Sequence, residues 1–226
     1  MGSNRKFGSL AKLAFAIAPV VIFAALAIAP GAWCLQAASG PSPAAALQQL
    51  LDGNARYAGD KATHPDSRPS DAPQHPAAVI LSCSDSRVPP EILFDQGVGS
   101  LFVVRAAGNT YDQLALESIE YAVAHLGTRL IVVMGHDQCG AVTAAVHEYP
   151  NPLAEPMLRN IYPAVEKTRG MPGDPVSNAI SENAALVAKR LAKDPRLAPM
   201  VKSGELKIVA ARYNLTTGAV TMLPLK

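Results

Sequence analysis

The chain has 226 residues, 49% hydrophobic and 17% charged, the balance of a globular protein with a sizeable core rather than a disordered one. Its formal net charge of +2 sits at the N-terminus: residues 1–38 hold Arg5, Lys6 and Lys12 and no acid, and this +3 leaves −1 for the remainder, which excludes a basic nucleic-acid-binding surface. Three cysteines, Cys34, Cys83 and Cys139, are too few and odd in number for a disulfide framework.

Residues 1–12 are polar and basic, residues 13–29 form an apolar run interrupted by Pro19, and small residues follow Pro30 through Gly40. This is the order of a secretory signal. Residues 1–38 are therefore expected to be a signal peptide or membrane anchor, and 39–226 the folded domain. The run is near the lower limit for a bilayer span and its proline weakens it as one. That favours cleavage within 32–40 and a periplasmic or secreted destination over an uncleaved anchor facing the periplasm. Arg5-Lys6 is a degenerate twin-arginine pair, lacking the second arginine.

Past a linker at 39–43, residues 44–58 follow a helical pattern, with Leu47, Leu50, Leu51, Ala55 and Tyr57-Ala58 on one side. This helical arm has an apolar face that could pack across a partner. Residues 59–76, rich in Pro, Asp, Ser and His, read as an extended loop. Three short apolar runs come next, at 77–83, 101–108 and 129–136, and their composition indicates strands buried on both faces, as in a parallel sheet. Helical segments at 89–96 and 112–126 lie between them, and others follow at 139–148, 153–168, 175–193 and 195–202. Strands at 206–213 and 219–223, joined by a hairpin turn at 214–218, close the chain. The alternation predicts an α/β fold: a doubly wound sheet of about four parallel strands plus one antiparallel edge strand, flanked by helices.

Two strand ends carry unusual chemistry. The first runs into Cys83-Ser84-Asp85-Ser86-Arg87 and the third into His136-Asp137-Gln138-Cys139. In an extended segment residues 83, 85 and 87 point the same way, so a thiol, a carboxylate and a guanidinium face one cavity. Cys139 opens the next helix, where the helix terminus favours thiolate over thiol. If the two strands are neighbours, both ends meet at the topological switch point of the sheet, where open α/β folds bind ligands. Two thiolates and one imidazole suit tetrahedral zinc with its fourth position open, the pattern of a catalytic site. Each residue taken singly has an ordinary structural explanation, a buried thiol or a loop ion pair; the combination is hard to explain by packing.

The segments CSDSRVPPEILF, LFVVRAAGN, ESIEYAV and IVVMGHDQCGAV resemble the β-carbonic anhydrases, and the similarity extends from about residue 45 to 213. The resemblance implies zinc ligands Cys83, His136 and Cys139, one Zn2+ per chain, and a catalytic dyad of Asp85 and Arg87. It places Gln96, Phe102, Tyr121 and Gly140 around the substrate pocket. The implied activity is reversible hydration of carbon dioxide to bicarbonate and a proton by zinc-hydroxide attack, in a homodimer or dimer of dimers. In a closed form found in some members the Asp, here Asp85, becomes a fourth zinc ligand. Those members typically carry Trp three residues before the first Cys, where Ile80 stands here, so the open form is expected. Ala106 departs from the Asn common at that place. The sequence marks no proton shuttle: His64, His75, His125 and His147 are expected to be surface or core residues. Alternatives are a carbon disulfide or carbonyl sulfide hydrolase on the same scaffold, a non-catalytic zinc-binding module, and a Cys83–Cys139 redox disulfide that would leave His136, Asp85 and Arg87 unexplained.

Overall fold

The computed structural model describes residues 40–63 and 73–225; the expected export segment with Cys34, and His64, lie outside the described residues. Five strands form one sheet: β1 Ala78–Ser82, β2 Leu101–Arg105, β3 Leu130–His136, β4 Lys207–Tyr213 and β5 Val220–Leu223, in the order β2-β1-β3-β4-β5. The first three pairings are parallel and β4–β5 is antiparallel, as the run of apolar segments and the closing hairpin predict. Every residue of β1 and β3 is buried, so both strands need side chains that fill space on two faces, which is why their sequences are continuous apolar runs rather than alternating ones.

The helices are α1 Pro43–Ala58, α2 Pro90–Leu93, α3 Gln113–His125, α4 Gly140–Glu148, α5 Pro156–Thr168, α6 Pro175–Ala192 and α7 Ala198–Ser203. On one face Ile80, Val132 and Met134 pack with Leu50, Val142, Leu158 and Ile161 from α1, α4 and α5. On the other Val79, Leu81, Ile131 and Val133 pack with Ile119 and Val123 of α3 and Val187 and Leu191 of α6. Each such side chain taken fully out of water contributes about 1.5–3 kcal/mol. Among the described residues no helix is long and apolar enough to cross a membrane.

Three local expectations change. The buried stripe of α1 is Ala46, Leu50, Gly53 and Asn54, and Ala55 is exposed. The helix docks on its own chain: Asn54 donates to the Leu93 and Gly218 carbonyls and accepts from the Val220 amide. At Gly53 a Cβ would lie 1.8 Å from the Phe94 carbonyl oxygen, so close backbone approach, not hydrophobicity, selects the residue. The helix expected at 89–96 shrinks to α2, because Asp95 takes φ 47 to reach the Arg56 guanidinium at 2.6 Å. The strand expected at 101–108 ends at Arg105; Gly108 and Asn109 turn the chain with φ of 67 and 46.

Candidate metal centre

The sheet order makes β1 and β3 neighbours while β2 lies on the other side of β1, so the winding reverses between the C-terminal ends of β1 and β3. Ser82, the last residue of β1, is level with Met134, and β3 runs two residues further to His136. Cys83 follows β1, His136 ends β3, and Cys139 caps α4. Their ligand atoms all lie within 4.8 Å of one another, and all three residues are buried.

This donor set fits zinc. The sulfurs of Cys83 and Cys139 are 3.9 Å apart and the cysteines are free, whereas two Zn–S bonds of about 2.3 Å at a tetrahedral angle separate sulfurs by about 3.8 Å. His136 Nδ1 lies 2.9 Å from the Asp137 carbonyl, a partner that only a ring N–H can satisfy. Nε2 is left buried with no hydrogen-bond partner, an orphaned lone pair beside two sulfurs. The Cys83 thiol is held far below its ordinary range, at about 4, first by its hydrogen bond with Cys139, against the upward pull of burial, and further by His136 and the Asp85 and Gly108 amides. The same Cys83 bond, with burial, pushes Cys139 upward. Two sulfurs this close in a buried pocket form a pair that a divalent cation would hold by displacing thiol protons.

Asp85 and Arg87 converge by a tight turn rather than by the extended alternation that the spacing suggests. Asp85 Oδ1 accepts from the Arg87 amide at 3.0 Å and Nε at 2.9 Å, and Oδ2 accepts from Nη2 at 2.7 Å. This turn lets residues two apart meet. The Arg87 bond, opposed by partial burial, holds the Asp85 carboxyl well below the usual carboxylate range; the carboxylate in turn raises the guanidinium. Asp85 Oδ2 is 3.9 Å from His136 Nε2, so the carboxylate borders the cluster while engaged by Arg87.

The chain is matched over residues 78–220 by the carbonic anhydrase family model. A carbonic anhydrase of Mycolicibacterium smegmatis is 38% identical over 192 residues, covering 80% of this chain and 93% of the relative. The chain belongs to the β-carbonic anhydrase family. Carbonic anhydrase 2 of Mycobacterium tuberculosis is 36% identical over 198 residues, with the same coverage of 80% and 93%. A Coccomyxa β-carbonic anhydrase solved with acetazolamide matches at a TM-score of 0.61 and 26% identity, covering 78% of this chain and 86% of that one. As a member of the family this protein is an enzyme, a carbonic anhydrase of the lyase class.

The remaining residues carried over from the β-carbonic anhydrases are distributed differently. Gly140 is the first residue of α4, exposed, with open space where a Cβ would stand. Gln96 donates to the Phe94 carbonyl and accepts from Gln49, at an open cleft beside α1 that also borders Asp52 and Arg56. Phe102 packs with the Val79–Leu81 face, and its ring is 6.4 Å from that of Tyr121, which is 48% exposed. None of these described contacts of Gln96, Phe102 and Tyr121 is with the Cys/His cluster.

Sequence reasoning missed a supporting layer. Arg105, at the end of β2, donates to the carbonyls of both Cys83 and Asp85. The Gly108 amide donates to Cys83 Sγ at 3.3 Å, and the buried Asn183 on α6 holds the Gly108 carbonyl at 2.8 Å. The only sequence signal was the glycine in the RAAGN turn. Arg105 and Asn183 are far from the ligands in sequence and of common residue types.

Proposed function

We propose that this carbonic anhydrase hydrates carbon dioxide reversibly to bicarbonate and a proton, with one zinc ion held by Cys83, His136 and Cys139. The observation that carries the reading is the convergence of three buried donor atoms within 4.8 Å, bordered by a carboxylate fixed by a guanidinium. Zinc in such a site lowers the pKa of water from 15.7 to roughly 7 and so supplies a nucleophile near neutral pH.

The chain's own groups then aim that nucleophile. Asp85 Oδ2, the carboxylate atom nearest the cluster, accepts the hydrogen bond of the attacking water and turns its lone pair toward the carbon of carbon dioxide. Arg87 holds both carboxylate oxygens, keeping Asp85 in this second role instead of letting it turn inward as a fourth donor. This geometry supports the open resting form. The three ligands are nearly inaccessible while Asp85 and Arg87 are 17% and 49% exposed, so substrate and bicarbonate pass on the side of the pair. The test is carbon dioxide hydration, measured with the metal in place and again after removal by a chelator; activity that survives demonstrated zinc removal would defeat the proposal.

The proposal extends to assembly and destination. A homodimer or dimer of dimers is supported by β2, an edge strand whose outer side pairs with no other strand among the described residues, and by the half-exposed Tyr121 beside Phe102. Gln96, Phe102 and Tyr121 keep in this proposal the pocket role that the resemblance to the β-carbonic anhydrases assigns them. Periplasmic or secreted delivery rests on residues 1–38 and their signal-like order.

A further inference from the structure

The turn that carries His136 and Cys139 is held by a polar chain that the mechanism leaves unused. Arg212 projects from β4, and its Nε donates to Asp137 Oδ1 at 2.6 Å. Its Nη1 donates to Ser177 Oγ at 2.8 Å, the Ser177 carbonyl at 3.0 Å and Ser181 Oγ at 3.0 Å, all on α6. Both members of the ion pair are mostly withdrawn from solvent, at 24% and 20% exposure. Asp137 is further fixed through its backbone: its amide donates to the Tyr213 carbonyl at 2.9 Å, and its carbonyl is the partner of His136 Nδ1. One residue between two ligands is thus pinned to β4 by side chain and amide, and to the His136 ring by its carbonyl.

We propose that Arg212 is a positioning residue for the metal centre: through Asp137 it immobilises the carbonyl that fixes the His136 ring, so that Nε2 faces the two sulfurs before a metal arrives. This rests on the reading of Cys83, His136 and Cys139 as zinc ligands. A histidine whose second nitrogen has a rigid acceptor is preorganised in tautomer and orientation, and removing such a support commonly weakens metal binding 10–100-fold. The hydrogen bonds of Arg212 among the described residues go to Asp137, Ser177 and Ser181 rather than to His136 or Cys139, and the α6 serines serve as its anchor. Register explains why β4 carries it: Arg212 lies level with Gly135 and Tyr213 with His136, so the side chain emerges beside the turn.

The experiment measures the zinc dissociation constant of the metal-free protein by chelator competition for wild type, R212M, D137N and the double variant. Thermal midpoints of the metal-free forms and absorption spectra of the cobalt(II)-substituted forms are recorded alongside. R196M, which breaks the Arg196–Glu120 ion pair, controls for loss of an ion pair as such. The expected result is that R212M and D137N each weaken zinc binding about 10-fold or more and shift the cobalt spectrum. The double variant is expected to be no weaker than the weaker single, and R196M to bind zinc as wild type does. Zinc affinity and cobalt spectrum unchanged in R212M, with a thermal midpoint lowered as in R196M, would overturn the proposal and leave Arg212 a structural ion pair. Should R212M fail to fold, D137N, which keeps the side-chain shape and removes its charge, decides the matter by the same criteria. Wild-type protein that binds no zinc would instead overturn the ligand assignment itself, and with it this inference.

Discussion

Asp85→Asn separates the carboxylate's role in aiming water from any role in holding metal. In the native site the carboxylate accepts three hydrogen bonds from Arg87: Oδ1 takes the amide and Nε, Oδ2 takes Nη2. An asparagine amide has one acceptor, so in either orientation its NH2 group confronts an Arg87 donor. If the oxygen keeps the Oδ1 place, the NH2 occupies the Oδ2 place, 3.9 Å from His136 Nε2, and presents hydrogens to the water that it should accept from. The reversed orientation sets the NH2 against the Arg87 amide and Nε. Both outcomes remove the acceptor or its alignment, and positioning of this kind is worth about 10²–10⁴-fold in rate. Stability should change little, since Arg87 is half exposed and water screens the pair. The assay is stopped-flow hydration on protein with measured zinc content. A kcat reduced by 10²–10⁴ at about one zinc per chain is expected. Near-normal kcat, or loss of zinc in parallel with activity, would refute the reasoning.

Gly108→Ala tests the turn beneath Cys83. The residue sits at φ 67, and an added Cβ would be 2.7 Å from Ile161 Cδ1, so left-handed strain of about 1–2 kcal/mol and overpacking of about 1–3 kcal/mol both apply. The thermal midpoint should fall by about 2–4 °C per kcal/mol, and Ile161→Val, which removes Cδ1, should recover the packing part alone; a G108A midpoint equal to wild type would contradict the geometry. In a Cys139→Ser, His136→Ala double variant, metal analysis is expected to find almost no zinc against about one per chain in the wild type; full occupancy would sink the ligand assignment. Fractionation of cells carrying the native chain is expected to find activity in the periplasm, retained when Arg5 and Lys6 are both changed to Gln. Activity confined to the cytosol would defeat export, activity in washed membranes would indicate an anchor, and periplasmic activity lost with the double change would indicate the twin-arginine route.

Much of the architecture and the members of the Cys83, His136 and Cys139 cluster were legible in the sequence. A strand buried on two faces has no polar side to show, so β1 and β3 stand out as apolar runs, and Cys83 and His136 mark the C-terminal ends of those runs. Soft donors at such an exit are conspicuous because packing does not require them. What the sequence left open was set by contacts between distant segments. Gly53 and Asn54 lie on the buried side of α1 because the Phe94 carbonyl and β5 come there, which no hydrophobic periodicity encodes. Asp85 and Arg87 meet by a turn in which the carboxylate takes both the Arg87 amide and its guanidinium, a geometry invisible to a reading based on alternation. Strand order alone made β1 and β3 neighbours, and the β3–β4 register alone brought Arg212 to Asp137. An arginine in a strand has many uses open to it; the pairing partner selects one, because hydrogen bonds of 2.6–3.0 Å require groups that only the assembled sheet and α6 bring within reach.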